Sequence, residues 1–201
     1  MLIHLQNRAP MLRVLLVNDT AKPIGTLRDA LACAGYTVIA EVNGAAALLH
    51  AVESQRPDVV IIDTESPSRD TLEQLAVMGH AAPRPVVMFA DRCEPLAMRA
   101  AVSAGVTAYV VDHVGADKLA PIIDVALARF EEEARLKKRL ANAEQQLADR
   151  KLIDRAKGIL MDKRGLSEAE AFTTLRDQAM KQGIKIAEVA RQLIAMADLL
   201  G

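Results

Sequence analysis

The sequence predicts an α/β domain on a five-stranded parallel sheet, then one long charged helix and a compact block of three helices. Three observations carry this. Short apolar runs alternate with helical repeats up to about residue 128, the pattern of strands joined by helical crossovers. The runs around Val59–Ile62 and Val86–Ala90 are apolar at successive positions, as in strands covered on both faces. From Lys118 to Lys151 there is no glycine, and no proline after Pro121, which suits a long exposed helix.

Residues 1–11 read as a leader, without the basic start and apolar centre of a secretory signal. Arg13 to Val17 forms the first strand and ends in Asn18-Asp19-Thr20. Leu27, Leu31 and Ala32 mark a helix closed by Gly35. Tyr36 to Ala40 reads as a strand and Ala45 to Ser54 as a helix. Pro57 to Asp63 is a continuous apolar strand ending in an acid. Leu72 to Met78 is helical, Pro85 to Ala90 a strand, and Pro95 to Ala104 a helix. Ala108 to Val111 is the fifth strand, and the last helix of this half begins near Asp117.

Composition narrows the class. Among 201 residues, 51% are hydrophobic and 25% charged, ordinary values for a globular protein. No apolar run reaches the roughly 20 residues of a membrane span, so no membrane partner is expected. Cys33, read as a buried helix residue, and Cys93, read as a loop residue, have no CxxC or metal-ligand partner. Two such thiols fit a reducing cytoplasm. His4, His50, His80 and His113 lack the spacing of a zinc site. Residues 1–130 hold 11 basic and 14 acidic side chains, and residues 131–201 hold 14 and 12, a weak charge asymmetry.

In parallel sheets the chemistry gathers at the carboxyl ends of the strands. Those ends carry Asn18, Asp19, Asp63, Asp91 and Asp112, with Glu65 just beyond the third strand. Converging acids repel unless a cation or proton compensates, and hard oxygen donors suit magnesium. Asp19 and Asp63 are the residues that would hold the ion. No cofactor is otherwise required.

Over residues 12–128 the chain resembles the receiver domain of two-component response regulators, which implies a flavodoxin-like fold. In that resemblance Asp63 matches the phospho-acceptor, Asn18 and Asp19 the acidic pair beside it, Pro67 the proline of the following loop, and Tyr109 the switch aromatic. Two departures stand out. The hydroxyl residue ending the fourth strand is Ala90, and the lysine ending the fifth is Asp112. A carboxylate in place of a cation puts like charge beside a would-be phosphoryl dianion. The expectation is therefore a receiver-shaped module, its Asp63 position vestigial, read by a protein partner.

Residues 129–150 form the connector. Leu136, Leu140, Ala143 and Leu147 recur at spacings of four and three, the seam of a short coiled coil. A homodimer is expected, since these side chains on a free helix would stay wet. Glu131-Glu132-Glu133 preceding Arg135-Leu136-Lys137-Lys138-Arg139 permits pairs at i,i+4.

The remaining block opens on Arg155-Ala156-Lys157-Gly158-Ile159-Leu160-Met161. Ala156, Ile159, Leu160, Ala171, Leu175 and Ala179 recur at helical spacing and should face inward. Arg155, Lys157, Lys163 and Arg164 should face water, and Phe172 should be core. Gly165 ends one helix, Ser167-Glu168-Ala169-Glu170 is a capping box that starts the next, and Gly183 breaks it. Ile186, Val189, Ala190, Leu193 and Ile194 form the stripe of the last helix.

Residues 137–199 resemble the ANTAR domain of the AmiR and NasT antitermination regulators. The likeness rests on Ala156 to Met161, Ser167 to Phe172, Leu175-Arg176, Ala179-Met180 and Glu188-Val189-Ala190. A receiver followed by this domain looks like the NasT-type regulator. The resemblance implies binding to paired hairpins in leader mRNA, read-through of a terminator, nitrate or nitrite control, and sequestration by a nitrate-sensing protein partner. With Phe172 as the block's lone aromatic, contacts to RNA fall to Arg155, Lys157, Lys163, Arg164, Arg176 and Lys181, with Gly158 allowing close backbone approach. Lys157, Arg164 and Arg176 are the strongest of these.

Three other readings compete. A phosphorylation-activated ANTAR regulator of an amide or ethanolamine pathway differs in needing Asp63. A DNA-binding regulator would need a recognition helix rich in bases and amides at its amino end, whereas the last helix offers only Lys185, Arg191 and Gln192. An enzyme would need a nucleophile–base pair or a phosphate loop, and the sequence shows neither.

Overall fold

A computed structural model describes residues 11–20, 25–92, 94–111 and 115–200, and the chain divides into two compact units between Glu133 and Ala134. In the first unit, β1 (Arg13–Asp19), β2 (Thr37–Asn43), β3 (Val59–Thr64), β4 (Val86–Ala90) and β5 (Ala108–Val111) form one sheet in the order β2-β1-β3-β4-β5. Every pairing is parallel. Parallel neighbours need crossovers. These contain α1 (Gly25–Cys33), a 3-10 turn (Ala45–Ala47) with α2 (Leu48–Gln55), α3 (Arg69–Ala81) and α4 (Pro95–Ser103).

Period-two alternation explains why the strands are apolar throughout. Leu15, Val17, Val60, Ile62 and Met88 enter one core with Leu48, Val52, Leu75 and Met78. Val14, Leu16, Val59, Ile61, Val87 and Phe89 enter the other, with Leu31, Leu119, Ile123 and Ala126. The chain steps from β1 out to β2 and back across to β3. That places the switch point, where a crevice opens, between β1 and β3.

The helix α5 runs unbroken from Ala116 to Arg164, 49 residues, so the connector has no boundary of its own. After it come α6 (Glu168–Gln182) and α7 (Ile186–Leu200). Ala156, Leu160, Ala171, Leu175, Ala179, Val189, Ala190 and Ile194 form the core of the second unit. Ser167 caps α6 with the full reciprocal box, and Gly183 closes it at φ +66°, a conformation that favours glycine.

Several expectations need correction. Cys33 is exposed rather than buried: Leu27 and Leu31 define the inward stripe, and residue 33 lies about 200° around from Leu31. Phe172 is 40% exposed and not core, since Ala171, Leu175 and Ala179 take the inward positions. Lys157 does not face water freely, for its side chain is 15% exposed inside ion pairs. Both β1 and β2 run longer than expected, and α3 begins earlier, at Arg69, where Ser68 accepts a hydrogen bond from the Thr71 backbone N–H. The leader, Cys93, Asp112 and His113 lie outside the described residues. Among those described, no helix is long and apolar enough to cross a membrane.

Candidate nucleic-acid interface and acidic crevice

The crevice lies where β1 and β3 end side by side. Asn18 is paired in register with Asp63, and Asp19 with Thr64. Across β3, Asp63 is aligned with Phe89, and Thr64 with Ala90. Thus the topology brings Asn18, Asp19 and Asp63 together and sets Ala90 one strand away. Ala90 is 3% exposed and offers no hydroxyl. Glu65 is exposed just beyond β3. Tyr109, on β5, is half-buried against the first core, its hydroxyl 3.4 Å from the Arg92 carbonyl.

The polar groups here are engaged by their own chain. Asn18 Oδ1 accepts from the Thr20 backbone N–H at 3.0 Å and from its hydroxyl at 2.8 Å. Asp19 Oδ2 accepts from Thr71 Oγ1 at 2.6 Å, and Thr71 is itself within 2.9 Å of Ser68 Oγ. Thr71 is a residue that sequence reasoning missed. Its hydroxyl is 1% exposed with its residue and reaches β1 from α3 across 52 positions. Magnesium needs several convergent oxygens. No group of three or more His, Cys, Asp or Glu residues among those described could hold a metal ion. With an amide at Asn18 and Asp19 tied to Thr71, the donor set does not fit a magnesium site.

In the second unit the basic residues fall into two sets. Arg155 donates to both oxygens of Asp198, at 2.9 and 3.2 Å. Lys157 Nζ lies 2.8 Å from Asp154 and 2.7 Å from Glu168. The hydrogen bonds to Asp154 and then Glu168 hold its pKa above the usual lysine range. The same contact to Lys157 holds Asp154 below the usual carboxylate range. Arg176 stands 3.5 Å from Asp177, and Arg191 pairs with Glu188. By contrast, Lys163, Arg164 and Lys181 are exposed and make no ion pair among the described residues.

Gly158 lies inside α5, and no atom outside its own helical backbone stands within 4 Å of where its Cβ would be. The protein's own packing therefore does not require glycine there. Along the same helix Leu136, Leu140 and Leu147 are 51%, 61% and 57% exposed, and Ala143 is exposed too. This is an apolar stripe on a helix with nothing of its own unit over it.

Comparison with known proteins follows the same division. The response regulator receiver domain family matches residues 14–124, and the ANTAR domain family matches residues 141–194. Over 182 residues the chain is 30% identical to the transcriptional regulatory protein PdtaR of Mycobacterium tuberculosis, covering 90% of this chain and 89% of that one. It is 38% identical over 60 residues to the nitrate regulatory protein of Klebsiella oxytoca, covering 30% of this chain and 15% of that protein. It is 29% identical over 85 residues to the aliphatic amidase regulator of Pseudomonas aeruginosa, covering 42% and 43%. Among solved structures, the signal receiver domain of a modulated diguanylate cyclase from Desulfovibrio desulfuricans superposes with a TM-score of 0.54 at 22% identity, covering 61% of this chain and 98% of that one. That likeness speaks to fold alone.

Proposed function

The chain belongs to the response regulators that join a receiver domain to an ANTAR domain, and from that premise we propose that it is an RNA-binding transcription antiterminator. Its output block holds paired hairpins in a leader transcript, keeps the terminator from forming, and lets polymerase read through. The observation that carries this reading is the set of exposed cations without ion pairs among the described residues, Lys163, Arg164 and Lys181, on a block matching the ANTAR family. Cations that need not break a pair contact phosphate at least cost. Arg155, Lys157 and Arg176 are the supporting set, since each already has a carboxylate nearby.

The receiver-like half serves as a handle for a ligand-sensing protein. Supporting this, Asn18 and Asp19 are bonded to Thr20 and Thr71, and Ala90 supplies no hydroxyl. The short likeness to a nitrate regulatory protein favours nitrate or nitrite as the signal. The amidase regulator likeness makes amide control the second reading. The exposed stripe on α5 supports a homodimer as the active form.

The test is a gel shift of the purified chain on leader hairpin RNA and on the matching duplex DNA, beside a read-through assay. The reading expects RNA to be retained and DNA not. It also expects Asp63→Ala to keep read-through once the sensor gene is deleted. Loss of read-through in that folded variant would favour a phosphorylation switch, for which Asp63 is placed at the end of β3 beside Asn18.

A further inference from the structure

Between the end of α5 and the middles of α6 and α7 lies a cavity of about 290 Å³. Leu160 and Val189 are buried and Leu193 half-buried along its wall, while Arg164, Thr174 and Gln178 line it from exposed positions. Neither the Arg164 guanidinium nor the Gln178 amide makes a hydrogen bond or ion pair among the described residues. Thr174 donates to the Glu170 carbonyl at 2.8 Å and keeps its lone pairs. So an apolar recess is edged by five guanidinium donors, an amide that gives and accepts, and a hydroxyl acceptor.

We propose that this cavity takes one unstacked nucleobase from an RNA hairpin loop, an inference that rests on the RNA-binding reading above. A base has flat apolar faces and a polar edge. Sequence-specific RNA recognition turns such bases out of the stack and reads their edges. Aromatic stacking is not offered here, because Phe172, the block's lone aromatic, does not line the cavity. Leu160, Val189 and Leu193 would instead meet the faces, and Gln178 with Arg164 would meet the edge, as amides and guanidinium groups do with purines. The volume lies at the low end of small-ligand pockets, roughly 300–1,000 Å³, which suits one base and not a stacked pair.

Charge complementarity decides for a polyanion. Lys163 adjoins Arg164 and Lys181 lies one turn beyond Gln178 on α6, both exposed and without an ion pair among the described residues. No carboxylate lines the cavity. An apolar protein partner would bury the Arg164 charge without compensation, which is costly. The larger cavity of about 480 Å³ near Gly183 is less suited, since Asp149 lines it and would repel phosphate.

The probe is a pool of hairpin RNAs with one fixed stem and a randomised loop, selected on the full chain. Each recovered hairpin is then tested with abasic residues at successive loop positions. In the native chain, one position should lose roughly tenfold or more when abasic, the scale of a well-formed edge contact. Gln178→Met keeps the length and shape of the side chain and removes the amide. It should reduce that penalty below threefold while the salt dependence stays. Gln178→Glu, which repels the neighbouring phosphates, should abolish selection. An abasic profile in Gln178→Met identical to the native one overturns the base pocket while leaving RNA binding in place. A pool that yields no hairpin above duplex DNA overturns both.

Discussion

At Lys157 an ammonium stands between Asp154 at 2.8 Å and Glu168 at 2.7 Å. To reach a phosphate it would have to leave both, so its first role is to join α5 to the start of α6. Lys157→Ala is expected to lower the melting temperature more than it lowers RNA affinity. Arg164→Ala, which breaks no ion pair, should do the opposite. Comparing both variants by thermal melting and by RNA binding checks this. Gly158 makes a second residue-scale case. Gly158→Ala should stabilise the helix by about 0.8–1 kcal/mol, the propensity difference, because nothing of the chain's other elements approaches the new Cβ. If the backbone at Gly158 touches RNA, the same variant binds less tightly; equal affinity would remove it from the interface. How legible such residues were depends on the reach of their partners. Asp63 was legible because an apolar run ending in an acid is a local pattern. The bond from Thr71 to Asp19 was not, since it joins residues 52 apart. Phe172 was misread by giving its aromatic ring more weight than the stripe of Ala171, Leu175 and Ala179, from which it is about 100° removed.

Among the elements, α6 shows the clearest link from sequence to stability. Ser167 N–H and Oγ both donate to Glu170, at 2.9 and 2.7 Å, and the Glu170 N–H returns to Ser167 Oγ. Ser167→Ala should cost about 1 kcal/mol in denaturant unfolding. The bonds from Ser167 hold the Glu170 pKa below the usual carboxylate range. A depressed folded-state value means the unfolded chain takes up the proton first. The contribution of Glu170 is therefore complete above the ordinary carboxylate range and is lost as pH falls through the folded value. The stability gap between the native chain and Glu170→Gln should be present at neutral pH and close in acid. Leu175, 2% exposed in the same helix, should cost about 2–5 kcal/mol on truncation to alanine, and Phe172→Ala far less. These features were legible because caps and stripes are local. The length of α5 was legible only as a composition: nothing in the residues marks where a receiver helix would end and a connector begin, and no break occurs between Ala116 and Arg164.

For the whole molecule, the two units divide signal from output. The sheet of the first retains the strand order and the Asp63 position of receivers, yet its described residues form no metal-holding group. The second has a small three-helix core, so its stability should lean on the apolar stripe of α5. Replacing Leu136, Leu140 and Leu147 by serine should abolish self-association in sedimentation while leaving helix content intact, because all three are already exposed. Unchanged association would place the dimer contact elsewhere. The central claim is that the carboxy-terminal helices bind RNA through cations not held in ion pairs. Its most direct test is the dissociation constant for a leader hairpin measured against salt concentration, for the native chain and for Lys163→Ala/Arg164→Ala/Lys181→Ala. The account predicts weaker binding in the triple variant and a log–log salt slope shallower by about 2, near 0.7 for each lost phosphate contact in single-stranded RNA. An unchanged slope and affinity in a folded triple variant would contradict it.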